Sequence, residues 1–217
     1  MTEESFRGHP VLTLADGKIN HEWDDEGNLN NEHKSISEGF AIELFLDEEA
    51  ELKVLGFRDA IYRDGVQPVQ GLMNDKPHVS LAVFPKVNGQ KLLDVTAEFA
   101  ATLTRFNFRL GAVGTFPTSD NVLFLYPVPS TRLLEIHAEL HARLQHAGVA
   151  SSPYYHPGNW VPHLTLEFNI AREELCRSVG VFKEKFTPIT GEFTQLGVVS
   201  FRPIEYLGSF ELDKGTE

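Results

Sequence analysis

The sequence predicts an α+β fold of two similar lobes about a pseudo-twofold axis, with two antiparallel sheets flanking a central groove. Two internal echoes and the order of the elements predict it. "PHVSLAVF" at 77–84 returns as "PHLTLEFN" at 162–169, which sets His78 and His163 85 positions apart. "LGAVGTFP" at 110–117 returns as "LGVVSFRP" at 196–203, at a spacing of 86. Unrelated matches have no reason to share a spacing. The period is far too long for a solenoid, so the two copies must pack on each other.

The elements justify the same reading in chain order. "FAIELFL" from Phe40 is rich in strand formers. "DEEAELKVLGFRDAIYRDG" follows with acidic residues in its first turn and Leu52, Leu55 and Ala60 near helical spacing. "PHVSLAVFP" is a strand bracketed by prolines, "GQKLLDVTAEFAATLTRF" a helix, and "FRLGAVGTFPTSDNVLFLYPVP" two strands around a polar turn. In "STRLLEIHAELHARLQHAG" a Ser cap, apolar Leu133, Ile136, Leu140 and Leu144, and a closing Gly148 mark a helix. "WVPHLTLEFNI" is the second His strand, "AREELCRSVGVFKEKF" a helix, and "FTQLGVVSFRPIEYLGSFEL" a closing strand pair. Each half runs strand, helix, His strand, helix, strand, with half-repeats at about 40–117 and 121–212 inside one domain, 39–217.

Composition bounds the function. The chain has 217 residues, 41% of them hydrophobic and 16 of them Phe, enough for a sizeable core. No basic, apolar leader and no long apolar run point to export or to a membrane. A single cysteine, Cys176, excludes an internal disulfide framework and suits a reducing cytoplasm. The formal net charge of -12 disfavours long nucleic acid, whose binding rests on Lys and Arg neutralising phosphates. A small nucleotide or an RNA terminus remains compatible, through one locally positive pocket. Residues 1–38 are polar and acidic, and read as an N-terminal arm. A calcium loop at Glu22, Asp24, Glu26 and Gly27 fails because its twelfth position is His33 rather than Glu.

Strand alternation turns the first echo into chemistry. His78, Ser80, Ala82 and Phe84 are expected on one face of the first His strand, with Val79, Leu81 and Val83 on the other. His163, Thr165, Glu167 and Asn169 are expected to share a face of the second. Across a pseudo-twofold groove, two imidazoles and two hydroxyls would converge. Such a set suits a tetrahedral phosphodiester: hydroxyls hold non-bridging oxygens, one neutral imidazole takes a proton and the protonated one gives a proton to the leaving oxygen. Neither a metal nor another cofactor is required. One such string arises at about one histidine in fifty from average composition, so the inference rests on the spaced pair.

On these residues, "HVSL" and "HLTL" with the strand and helix order from about Phe40 to Leu212, the chain resembles the two-histidine (2H) phosphoesterases. These are also called 2′-5′ RNA ligase-like or cyclic phosphodiesterase proteins. The resemblance implies a bilobal α+β fold and metal-independent chemistry on 2′,3′-cyclic or 2′-5′-linked phosphates of a nucleotide or RNA terminus. It makes His78 and His163 the acid/base pair, and Ser80 and Thr165 the phosphate-holding hydroxyls. Ser80 stands where the family often has Thr, which keeps the donor. Which histidine is acid and which base is left open.

Further expectations attach to neighbouring residues. Tyr154, Tyr155 and Trp160, in "SSPYYHPGNW", would rim the groove and stack a nucleobase. Arg202, in the repeated turn, would neutralise phosphate, with Lys76 a weaker choice. His137 and His141 are four apart on a helix but have no third ligand nearby, and read as a solvated helix edge. Cys176 has no local partner and reads as incidental. Two other functions compete: a metal-dependent hydrolase with His78, His163 and Glu167 as ligands, and a non-catalytic module that binds a nucleotide or RNA end. Two lobes that satisfy each other suggest a monomer.

Overall fold

A computed structural model describes residues 39–68, 75–201 and 204–215. The arm assigned to 1–38 and the cation assigned to Arg202 lie outside the described residues. The elements run β1 (Gly39–Leu46), α1 (Glu48–Arg63), β2 (His78–Phe84), α2 (Gly89–Ala100), β3 (Phe106–Thr115), β4 (Leu123–Pro127), α3 (Thr131–His146), a 3-10 turn (Pro153–Tyr155), β5 (Leu164–Glu167), α4 (Arg172–Lys185), β6 (Ile189–Phe201) and β7 (Glu205–Glu211). Side-chain caps start three of the helices. Asp47 accepts from the Ala50 amide at 2.9 Å, Asn88 from Lys91 at 3.1 Å and Ser130 from Leu133 at 3.2 Å, each satisfying a donor with no intrahelical partner.

All described strands pair antiparallel in the order β2-β1-β6-β3-β4-β5, with β7 added on β6. Two separate sheets were expected, and the structure has one continuous seven-stranded sheet. The cause is the thirteen-residue strand β6, which pairs with β1 over 193–201 and with β3 over 189–193. Exchange β1 with β4, β2 with β5 and β3 with β6, and the order reads the same backwards. The last strand of each proposed half-repeat, β3 or β6, thus pairs with the first strand of the other, β4 or β1.

Alternation also breaks at several register shifts, one of them on each His strand. Ile42 pairs with Ala82 but Glu43 with Ser80, so Leu81 is an extra residue on β2, a bulge that turns the faces over. Ala82 and Phe84, expected beside His78, are fully buried, and Val83 joins His78 and Ser80 on the groove. The carbonyls along this free edge are taken up from the second half. Trp160 Nε1 donates to Ser80 O at 3.1 Å, the Ser152 amide to Val83 O at 2.7 Å, and His141 Nε2 to Leu81 O at 3.2 Å.

His137 and His141 are thus not a solvated edge. His137 is 2% exposed, stacks on Trp160 at 4.0 Å and 7°, and donates from Nε2 to Tyr155 O at 2.8 Å. Helical spacing alone did not reveal that a loop covers this face. Burial, with His141 and His156 nearby, pulls His137 down to about 4 against two carbonyl hydrogen bonds. The unfolded chain, with an ordinary value of 6.5, binds this proton more readily. His137 therefore favours the fold above 6.5, and that contribution is lost as pH falls through 6.5 towards 4. Melting temperature should drop over that interval, and His137→Phe should flatten the drop; a slope unchanged in the variant would refute the assignment.

Candidate active site

β2 and β5, the two ends of the sheet order, come together around one groove. It is lined by Glu43, Asp75, His78, Ser80, His163 and Thr165, with Tyr155 and Phe201 among its apolar walls. Its empty volume is about 500 Å³, including its open mouth. The four residues predicted from the doubled signature are assembled in one place, as the spacing required.

Both imidazoles are held in the same way. His78 Nδ1 lies 2.8 Å from Lys76 O and His163 Nδ1 2.7 Å from Val161 O, each the carbonyl two residues back. Donation to a carbonyl fixes the hydrogen on Nδ1 and leaves Nε2 as the reactive nitrogen. Each hydroxyl residue is also anchored through its backbone by the opposite half: Trp160 holds Ser80 O, and Arg58 Nη2 on α1 donates to Thr165 O at 3.2 Å. Neither the Ser80 nor the Thr165 hydroxyl has a hydrogen-bond partner among the described residues, which leaves both available to a ligand.

The surroundings of the two histidines differ. His78 Nε2 is 3.4 Å from Glu43 Oε1, and its Nδ1 is 3.6 Å from Asp75 Oδ2. Burial works against a charge on His78, yet Glu43, Asp75 and the Lys76 carbonyl outweigh it and raise the imidazole above its ordinary 6.5. Glu43 is itself pushed up to about 7, by burial first, with His78 opposing and Asp75 reinforcing. His163 faces rings instead, Phe116 at 5.0 Å and Phe124 at 5.5 Å. Burial pulls it down to about 4, the Val161 carbonyl opposing and the charge of His78 adding to the fall.

The remaining expectations divide. Tyr155 is buried and lines the groove, its phenol pushed up by burial and by Glu43. Tyr154 packs behind it, against the small apolar cluster of Ala41, Val83 and Tyr155. Trp160 does not line the groove, because its ring lies on His137 and its N–H is bound to β2. Lys76 folds over Phe45 and Tyr206, with Nζ 5.9 and 6.0 Å from the ring centres. Glu167, expected on the groove face, is fully buried and accepts a hydrogen bond from Tyr62 on α1. Leu123 pairs with Glu167 but Phe124 with Thr165, so Leu166 is an extra residue on β5 and turns Glu167 to the face opposite Thr165, as Leu81 does on β2. The trio of His78, His163 and Glu167 is therefore not assembled as ligands, and among the described residues no three His, Cys, Asp or Glu side chains are grouped to hold a metal ion. Cys176 is exposed. Sequence reasoning missed Glu43, Asp75, Phe116 and Phe124; one signal was present, a lone carboxylate inside the apolar strand "FAIELFL".

Comparison with known proteins agrees with this geometry. The family model of the 2′-5′ RNA ligase superfamily matches residues 57–203, more than half of the chain. The chain belongs to that superfamily, the 2H phosphoesterases. Among curated proteins, none matches it. Solved structures share its fold: a phosphoesterase at 18% identity and TM-score 0.57, covering 82% of this chain and 99% of its own; TT0787 of Thermus thermophilus at 17% and 0.56, covering 82% and 100%; and LigT of E. coli with 3′-AMP at 17% and 0.56, covering 80% and 97%. Among the described residues, no helix is long and apolar enough to cross a membrane.

Proposed function

We propose that the protein is a metal-independent phosphodiesterase that acts on a 2′,3′-cyclic or 2′-5′-linked nucleotide or RNA terminus. One observation carries the reading: two imidazoles, each fixed through Nδ1 to a backbone carbonyl, share one groove with two hydroxyls that have no partner among the described residues. Ser80 and Thr165 donate to non-bridging phosphate oxygens. One imidazole removes a proton from the attacking water or hydroxyl as its oxygen bonds to phosphorus. The other donates a proton to the departing oxygen as that P–O bond breaks. Tyr155 supplies a wall for the sugar or base. E. coli LigT, a relative in fold, has been crystallised with 3′-AMP, phosphate and ATP. The net charge favours such a ligand over long RNA. The half-repeats, the acidic arm, a monomeric state and a cytoplasmic setting belong to the same proposal.

The test is hydrolysis, in chelator, of 2′,3′-cyclic nucleotides, ADP-ribose 1″,2″-cyclic phosphate and short 2′-5′ oligonucleotides. Turnover that survives the chelator supports the reading and identifies the substrate class. Binding without turnover by folded protein would identify a sensing module instead.

A further inference from the structure

The duplicated fold gives its two histidines the same backbone anchor but different neighbours, and the difference sits at one pair of corresponding positions. Glu43 on β1 is the partner of Ser80 in the first half; Phe124 on β4 is the partner of Thr165 in the second. Both face a glycine on their other side, Gly197 for Glu43 and Gly114 for Phe124. The symmetry that maps β1 onto β4 thus maps a buried carboxylate onto a phenyl ring. Glu43 is 4% exposed, and its Oε2 has no hydrogen-bond partner among the described residues. A carboxylate placed so, on the wall of a groove for an anion, works against phosphate binding unless it serves another group.

We propose that Glu43 is a positioning residue that holds a proton on His78 Nε2, so that His78 is the acid facing the leaving oxygen and His163, between Phe116 and Phe124, is the base facing the nucleophile. The inference rests on the phosphodiesterase reading and adds a direction to it. The charged and titratable groups around Glu43 agree. His78 on β2 is its partner; Asp75, from the segment before β2, adds negative charge on the same imidazole; Tyr155 and Tyr206 stay neutral. Arg58 on α1 acts against the charge on His78. In the forward step His163 takes the proton of the attacking oxygen and His78 gives its own to the departing one. Solvent then returns a proton from His163 to His78, and the site is reset.

The pH dependence of kcat/KM on a 2′,3′-cyclic nucleotide separates this role from a structural one. In Glu43→Gln the basic limb, where His78 loses its proton, should move down by about one unit, a roughly tenfold loss at pH 8 with less than about twofold change near pH 5.5. Glu43→Asp should restore most of the limb. A basic limb that stays in place, or an acidic limb that moves instead, overturns the proposal. Imidazole titration by NMR, with His78 assigned by comparison with His78→Ala, gives an answer without turnover. His78 should titrate above 6.5 in the wild type and lower in Glu43→Gln, and equal values would overturn the proposal even if the protein is an active phosphodiesterase. Should the wild type hydrolyse no member of the panel, the functional reading fails while the titration still decides the role of Glu43.

Discussion

Substituting His163 with alanine should lower kcat for a 2′,3′-cyclic nucleotide by about 10²–10⁴-fold, and His78→Ala should do the same. The equal losses follow from the mechanism, since one proton must leave the nucleophile and another must reach the leaving oxygen in one transition state. The double variant should lose little more than either single one, because groups that act as a unit are not additive. Stability gives the control. His163 is a neutral side chain whose one internal hydrogen bond goes to Val161 O, so its removal leaves no buried charge behind. His163→Ala should remain folded by circular dichroism, whereas His78→Ala strips buried Glu43 and Asp75 of their partner and should lose some stability, so its fold is checked before its rate. Turnover indifferent to either histidine in folded protein would remove them from the site. Ser80→Ala and Thr165→Ala should act more through KM, since each removes a donor that also meets the ground-state phosphate.

The second large effect belongs to a core residue that does not line the groove. Phe193→Ala should cost about 3–5 kcal/mol of folding stability, read as a shift of the denaturant midpoint. Phe193 is fully buried on β6, where it pairs with Leu46 of β1 and Phe106 of β3, and its ring lies 5.2 Å from Phe106 and 4.6 Å from Phe108. It is the point at which the ladders of the two halves share a residue. A cavity there weakens both at once, so unfolding should remain a single transition. Two separated transitions would show that the halves unfold independently.

The element order and the four groove residues could be read from the sequence because both depend on local pattern. Period-two alternation marks His78 with Ser80 and His163 with Thr165, and the shared spacing between distant echoes matches a strand order that reads the same when β1, β2 and β3 are exchanged with β4, β5 and β6. What escaped depends on partners remote in the chain. The bulge at Leu81 is a matter of register between β1 and β2, and no residue of "HVSL" announces it. His137 reads as surface until a loop some twenty residues later is laid over it by Trp160. Glu167 follows the alternation on paper, but Leu166 is an extra residue in the β4–β5 register and the side chain turns to Tyr62. The unlike settings of the two histidines were out of reach for the same reason. Repeats reveal what the halves share, whereas Glu43 and Phe124 are what they do not.

The exchange of last strands between the halves also sets an order of events during synthesis. As the chain leaves the ribosome, β1, α1 and β2 are available early, but the neighbour of β1 on its other side is β6, which arrives about 150 residues later. Until then β1 carries an open, apolar edge, the kind of surface that pairs with other chains. β4 finds its neighbour β3 already made, so that pair can form before β6 arrives. The nascent N-terminal half must therefore be kept from misassociation until the C-terminal strand is delivered, and a ribosome stalled before residue 189 would leave β1 without the strand that covers that edge.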